Sequence, residues 1–266
     1  MSILENVYVI VLGLILGSFF NVCIYRIPKG ESIINPPSHC PKCGQRLKTA
    51  DLVPVFSWLF LRGRCRYCKE HIPIRYTLVE ILTCAVYFVM FSKFGLSAEG
   101  ISSIFLMSVL ICVFFIDIDH RIIPDSLVLT GIAGGIILFV YNIYKPVEFY
   151  SDRAWYNPLL GVLAGAGFLF LVALLGYLIY KTDDAMGMGD VKIFIPIGLF
   201  LGWRLTLIAL FSAIILGALA GILLMILRLK DRKGTIPLGP FIVTGVFIAL
   251  LWGHEIINWY SKFFNI

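Results

Sequence analysis

Residues 101–125 read ISSIFLMSVLICVFFIDIDHRIIPD. Asp117 is the first charge after Glu99. An apolar run of this kind, closed by a carboxylate and then a proline, is long enough to cross a hydrocarbon layer as a helix, which takes about 20 residues. Lipid offers no partner to a peptide N–H, so the helix is the natural form for it.

The same pattern recurs along the chain. Apolar segments occupy about 5–25, 76–92, 101–118, 125–143, 158–180, 189–203, 205–227 and 236–254. The segment 189–227 reads either as one hairpin or as one broken helix. The first run has no basic region before it and no small-x-small cleavage site after it, so it reads as a retained span rather than a signal peptide. Of the whole chain, 59% is apolar and 14% charged, with mean hydropathy +0.92. Soluble domains sit near 45–50% apolar, and a soluble fold is excluded. The expected fold is an all-α polytopic membrane protein with about eight transmembrane helices. No short internal repeat is legible.

Charge sets the expected orientation. Ten of the 22 Lys and Arg residues fall within 26–75. With Arg121, Lys181, Lys192 and the cluster Arg228, Lys230, Arg232 and Lys233, they all lie on one side. Lys93, Lys145, Arg153, Arg204 and Lys262 lie on the other. The positive-inside rule assigns the richer side to the cytosol and both termini to the outside. The basic charge is thus a topology signal, and no nucleic-acid partner is expected.

Between the first two spans, residues 27–75 form a polar insert too small for a large core of its own. Two knuckles, Cys40-Pro-Lys-Cys43 and Cys65-Arg-Tyr-Cys68, supply a staple. Paired CxxC turns are the pattern of a tetrahedral zinc site, and a reducing compartment favours metal over disulfide. The alternatives are a redox pair or unbound thiols. Four sulfurs leave no open position, so this metal is structural, and His39 and His71 read as surface residues. Cys23, Cys84 and Cys112 read as small buried hydrophobes.

Asp117 and Asp190 stand at the edges of apolar runs, where an ionisable group is a functional hypothesis by default. Asp119, Asp125, Asp183 and Asp184 read as caps or interfacial charges, and His120 is a candidate for tuning Asp117. Two carboxylates in one site cannot both ionise cheaply. One can then take a proton from water while the other polarises an amide carbonyl. No HExxH or GxSxG competes with this reading. Ion transport through the aspartates and a non-enzymatic zinc adaptor stay open as other classes.

Four blocks together resemble the type IV prepilin peptidases, leader peptidase/N-methyltransferases of the GxGD aspartic class. They are GLILGSFFNVCIYRIP (13–28), the cysteine region 38–80, DIDHRIIPD (117–125) and GMGD (187–190). The resemblance implies a first helix over 1–26, a cytosolic four-cysteine zinc insert with methyltransferase character over 27–75, and a peptidase core over 76–266. It implies Asp117 and Asp190 as the catalytic pair, and Cys40, Cys43, Cys65 and Cys68 as ligands of structural Zn2+. Prepilin or pseudopilin precursors would be the substrates and S-adenosylmethionine the methyl donor. The location would be the bacterial inner membrane, multi-pass and in contact with lipid, with the active site facing the cytosol. Cofactor-binding residues are not assigned. Asn21, Tyr25 and Arg26, at the end of the first span, suit a ligand role, and Arg26 suits equally that of a topology anchor. Glu31, Glu70 and Glu80 are candidates for attracting a basic leader.

Overall fold

A computed structural model describes residues 3–150, 154–181, 187–227 and 237–264. Arg153, Asp183, Asp184, Arg228, Lys230, Arg232 and Lys233 lie outside the described residues. The chain divides into two compact units, Met1–Gly100 and Ile101–Ile266. Among the described residues, seven helices are long and apolar enough to span a membrane.

In the first unit, α1 (Ile3–Arg26) packs on α3 (Arg75–Phe94), and the short α2 (Phe56–Phe60) lies in the insert between them. Glycine decides how closely α1 and α3 approach. A Cβ on Gly13 would stand 2.7 Å from the Cys84 Cα, and one on Gly17 would stand 2.7 Å from the Glu80 Cα. Small residues four apart let backbones touch where lipid gives no hydrophobic drive for association.

The insert has little regular structure. Its knuckles are copies of one another, twenty-five positions apart. Cys40 N–H donates to the Gln45 carbonyl (3.0 Å) and Gly44 N–H to Cys40 (2.8 Å); Cys65 N–H donates to Glu70 (2.8 Å) and Lys69 N–H to Cys65 (3.1 Å). The bridges His39–Arg46 and Arg64–His71 repeat the relation. Backbone geometry carries the copy, while the two side-chain sequences share little beyond cysteine. Even the left-handed position recurs, as Gly44 (φ 69°) in one copy and Lys69 (φ 61°) in the other. Within the second knuckle, Arg66 Nε bonds Asp51 Oδ1 at 2.5 Å. Burial alone would raise the Asp51 carboxyl, but the hydrogen bond and charge of Arg66, with the Lys48 N–H, hold it below its usual range.

The second unit contains α4 (Ala98–His120, entering from the first), α5 (Asp125–Tyr144), α6 (Asn157–Val162), α7 (Phe168–Tyr180), α8 (Met188–Ile226) and α9 (Gly239–Phe264). A π turn, Leu163–Gly167, joins α6 to α7. Straight, α8 would measure about 58 Å, nearly twice a hydrocarbon core of roughly 30 Å. It turns back instead at Gly202 (φ 68°, ψ 177°). On the way in, Pro196 and Leu199 meet Gly131 and Gly135 of α5; on the way back, Leu205 meets Gly253 of α9, while Gly217 meets Leu238 and Phe241. The first half thus runs parallel to α5 and the second antiparallel to α9. The hairpin reading is the correct one: α8 is two antiparallel arms, with Phe194 and Thr206 both against Gly165.

The turn is held by buried polar groups. Asn157 Oδ1 accepts the Trp203 N–H (3.1 Å), its Nδ2 donates to the Tyr150 carbonyl (2.7 Å), and the Tyr150 hydroxyl donates to the Leu199 carbonyl (2.8 Å). The Leu199 carbonyl and the Trp203 N–H, on either side of the reversal, thereby find partners. One boundary moves: the last span was expected to end near 254 but continues to Phe264. No proline or glycine interrupts it after Gly253, and exposed Trp259, Tyr260 and Phe263 give it an aromatic flank suited to a membrane interface.

The backbone at Gly202 is open essentially to glycine alone. A methyl there would also meet Asn157 Oδ1 and, at 2.8 Å, the Tyr150 ring. Gly202→Ala is expected to destabilise the protein by about 1–3 kcal/mol, read as a lower midpoint of thermal unfolding in detergent.

Candidate active site and metal centre

Asp117 lies in the last turn of α4 and is 5% exposed. Its helix is closed by Arg121, whose left-handed backbone (φ 55°) lets its N–H reach the Asp117 carbonyl at 2.9 Å. The Asp117 carboxylate faces the start of α9, where Oδ2 accepts the Gly239 N–H at 2.8 Å. Any side chain at 239 would invade that bond, since a Cβ would stand 2.6 Å from the same oxygen. The first N–H groups of a helix are unsatisfied and carry partial positive charge, so the start of α9 is a natural seat for a carboxylate. Sequence reading missed Gly239. The signal was the Gly-Pro pair opening the last apolar run, a helix start beginning with the one residue that admits close approach.

Asp190 lies in the first turn of α8 and is half-buried. Both glycines of GMGD have a packing reason. A Cβ on Gly187 would stand 3.0 Å from Asp190 Oδ2, and one on Gly189 would stand 3.2 Å from the Ile123 Cβ. Ile123 belongs to the connection after Asp117, so Gly189 lets the two aspartate-bearing segments close on each other. The exposed pair Lys192 Nζ–Asp125 Oδ1 (2.8 Å) also ties the start of α8 to the start of α5. The structure therefore brings the segments that carry Asp117 and Asp190 to one end of the second unit.

The neighbouring acids divide as expected. Asp119 and Asp125 are exposed. His120 is also exposed and makes no described contact with Asp117.

In the first unit, the Sγ atoms of Cys40, Cys43, Cys65 and Cys68 all lie within 4.8 Å of one another, and Cys40 and Cys68 are 3.9 Å apart. Tetrahedral Zn–S bonds of about 2.3 Å put sulfurs about 3.8 Å apart, so the set fits one such ion. All seven cysteines are free thiols. Backbone N–H groups of Cys68 and Tyr67, aimed at Cys65, bring its thiol down to about 7 against the opposing effect of burial. His39 and His71 are exposed; His39 Nδ1 lies 3.0 Å from the Pro37 carbonyl, as suits a surface residue.

Asn21 Nδ2 donates to the Tyr76 carbonyl at 2.9 Å. Lys29 Nζ sits 3.5 Å over the Tyr25 ring. Glu31 and Glu70 are exposed, as residues meeting a basic peptide would be. Glu80 is not: it is 8% exposed and accepts the Val55 N–H at 2.7 Å. Its place among the leader-attracting acids is withdrawn, because it faces the interior of the first unit.

Residues 11–94 match the bacterial peptidase A24 N-terminal domain, and residues 104–222 match the type IV leader peptidase family. The chain is 34% identical over 252 residues to a prepilin leader peptidase/N-methyltransferase of Bacillus subtilis, covering 95% of this chain and 96% of that one. It is 31% identical to a protein of the same description from Aeromonas salmonicida, over 95% and 92%. A third, from Myxococcus xanthus, is 37% identical over 83% of this chain and 63% of its own. No solved structure matches.

Gly239→Ala is expected to push the Asp117 carboxylate off the start of α9. Overpacking of this kind costs about 1–3 kcal/mol, and a lowered unfolding midpoint in detergent would register it.

Proposed function

The chain belongs to the type IV leader peptidase family, and from that premise we propose that Asp117 and Asp190 together cut the leader from type IV prepilins or pseudopilins at the cytosolic face of the bacterial inner membrane. The new amino terminus is then methylated. The peptidase reading is supported by the seat of Asp117 on the α9 start and by the close approach, at Gly189, of the turn that carries Asp190 to the connection after Asp117.

In this mechanism one aspartate is ionised and the other protonated. The ionised carboxylate takes a proton from water as the water oxygen adds to the scissile carbonyl carbon. The protonated one donates a hydrogen bond to the carbonyl oxygen and stabilises the charge that develops there. Collapse of the tetrahedral adduct breaks the C–N bond, and the dyad returns a proton to the leaving amine. The leader departs with a carboxylate, and the pilin keeps its apolar helix in the membrane with a free amine. The cytosolic assignment rests on the excess of Lys and Arg on the side of the insert.

Cys40, Cys43, Cys65 and Cys68 would hold a structural Zn2+ through four thiolates, which would leave no position for a substrate. S-adenosylmethionine supplies an electrophilic methyl group when bound.

Asp117→Asn and Asp190→Asn are each expected to lower leader removal by at least the roughly 10²–10⁴-fold that a general acid or base contributes. Masses of products from purified protein in lipid, with prepilin and S-adenosylmethionine, measure this. Normal cleavage by either variant ends the dyad mechanism, and cleavage without a methyl gain in the parent ends the methylation claim.

Metal analysis should find one zinc per chain, lost in Cys65→Ser and kept in His39→Ala and His71→Ala. Each cysteine ligates as its thiolate, so protons compete with zinc for the four sulfurs. Zinc retention against a chelator should therefore weaken on acidification below neutral, and a flat profile would contradict four-thiolate ligation.

A further inference from the structure

The short α2 presents two unlike faces. Trp58 packs inward: its Nε1 donates to the Ile72 carbonyl at 3.0 Å, and a Cβ on Gly63 would stand 2.9 Å from its ring. Phe56, Leu59 and Phe60 share another face at i, i+3 and i+4 spacing, and all three are exposed. Leu52 and Val53, just before the helix, are exposed as well. Phe60 is 84% exposed, although an aromatic ring is favoured out of water. Val53, Phe56 and Phe60 also line one recess of about 310 Å³ with Ala50, Leu61 and Arg66. The exposed residues thus form a patch rather than scattered points, and a contiguous apolar patch marks a contact with a protein or a membrane.

Backbone strain holds this face in place. Two residues at positive φ bracket α2, Val55 (φ 62°) and Arg62 (φ 51°). A β-branched residue in that region is an outlier that its surroundings must hold. Here the Val55 N–H donates to Glu80 Oε2 at 2.7 Å. Glu80 lies about 7.5 Å along α3 from Arg75, at 1.5 Å per residue. The bond therefore fastens the start of α2 beside the first turns of a spanning helix, where Leu78, Ile81 and Leu82 are exposed. Helices that lie in a membrane surface bury their apolar face about 5–10 Å into the boundary between headgroups and acyl chains, which is the same depth. Charge fits the same surface. The stretch 46–69 carries Arg46, Lys48, Arg62, Arg64, Arg66 and Lys69, all exposed, against one acid, Asp51, which Arg66 already bonds.

We propose that this face of the insert docks on the bilayer around the ends of α1 and α3. Leu52, Val53, Phe56, Leu59 and Phe60 enter the boundary between headgroups and acyl chains, and the flanking Lys and Arg side chains meet the phosphates of anionic lipids. Buried apolar area and attraction to anionic headgroups together drive such binding. An apolar protein partner would use the patch but leave the cations without a role. The insert is then fastened to the membrane at three points: through α1, through α3 and through this face.

Photo-crosslinking of the full-length protein in lipid nanodiscs tests this, with p-benzoylphenylalanine in place of Phe60 in one preparation and of Ile137 in another. Ile137 is an exposed residue of the spanning helix α5 and sets the yield for lipid contact. In discs that contain phosphatidylglycerol, intact masses after irradiation should show lipid adducts at position 60 within about threefold of those at 137. Discs of phosphatidylcholine alone should lower the yield at 60 severalfold and leave that at 137 unchanged. Arg62→Gln combined with Arg64→Gln should lower it in the same way when phosphatidylglycerol is present. Lipid adducts at 137 with none at 60 overturn the proposal. Adducts from position 60 to a second chain or to added prepilin, in place of lipid, overturn it too, as does a yield at 60 that is indifferent to lipid charge.

Discussion

Inside a hydrocarbon layer a peptide N–H has no partner except another part of the same protein. That constraint makes this chain helical, and it restricts where chemistry can be placed. A helix uses its own backbone groups along its length and leaves them free only at its ends. The two aspartates stand in such end turns, Asp117 in the last of α4 and Asp190 in the first of α8. The donor that meets Asp117 is likewise a helix-end N–H, that of Gly239.

A second consequence concerns packing. Apolar side chains gain little by leaving lipid for one another, so helices associate where their backbones come close. Glycines mark those places: Gly13 and Gly17 in the first unit, Gly161 against Gly198 in the second, and Gly187, Gly189 and Gly239 around the carboxylates. Polar side chains then appear where backbone regularity fails. Asn157 and Tyr150 bind groups that the reversal at Gly202 sets loose, and Glu80 holds the N–H of a strained valine. The insert solves the problem of small size differently, with two copies of one knuckle closing four sulfurs on a point.

Much of this was legible before any coordinates. Helix type followed from the length of the apolar runs, and the spans lie within a few residues of expectation except at the last. The cluster of four cysteines was legible because CxxC spacing is local, so a tight turn presents both sulfurs whatever the rest of the chain does. Asp117 and Asp190 stood out because a charge beside an apolar run is rare.

Other features depend on residues far apart in sequence, and no local pattern encodes them. The hairpin in 189–227 had a broken helix as an equal alternative, because glycine permits a reversal without requiring it. Contacts to α5 on one side and α9 on the other decided it. Glu80 looked like one more acid near a basic insert until the fold buried it against Val55. Gly239 stands 122 positions from Asp117, and only the packing of α4 and α9 gives that glycine its task. Sequence by itself determined the helices, the paired cysteine knuckles and the charges at helix ends, because those depend on hydropathy and short spacing. Tertiary structure alone decided which of them meet, because close approach is a property of two surfaces and neither segment carries the other's shape.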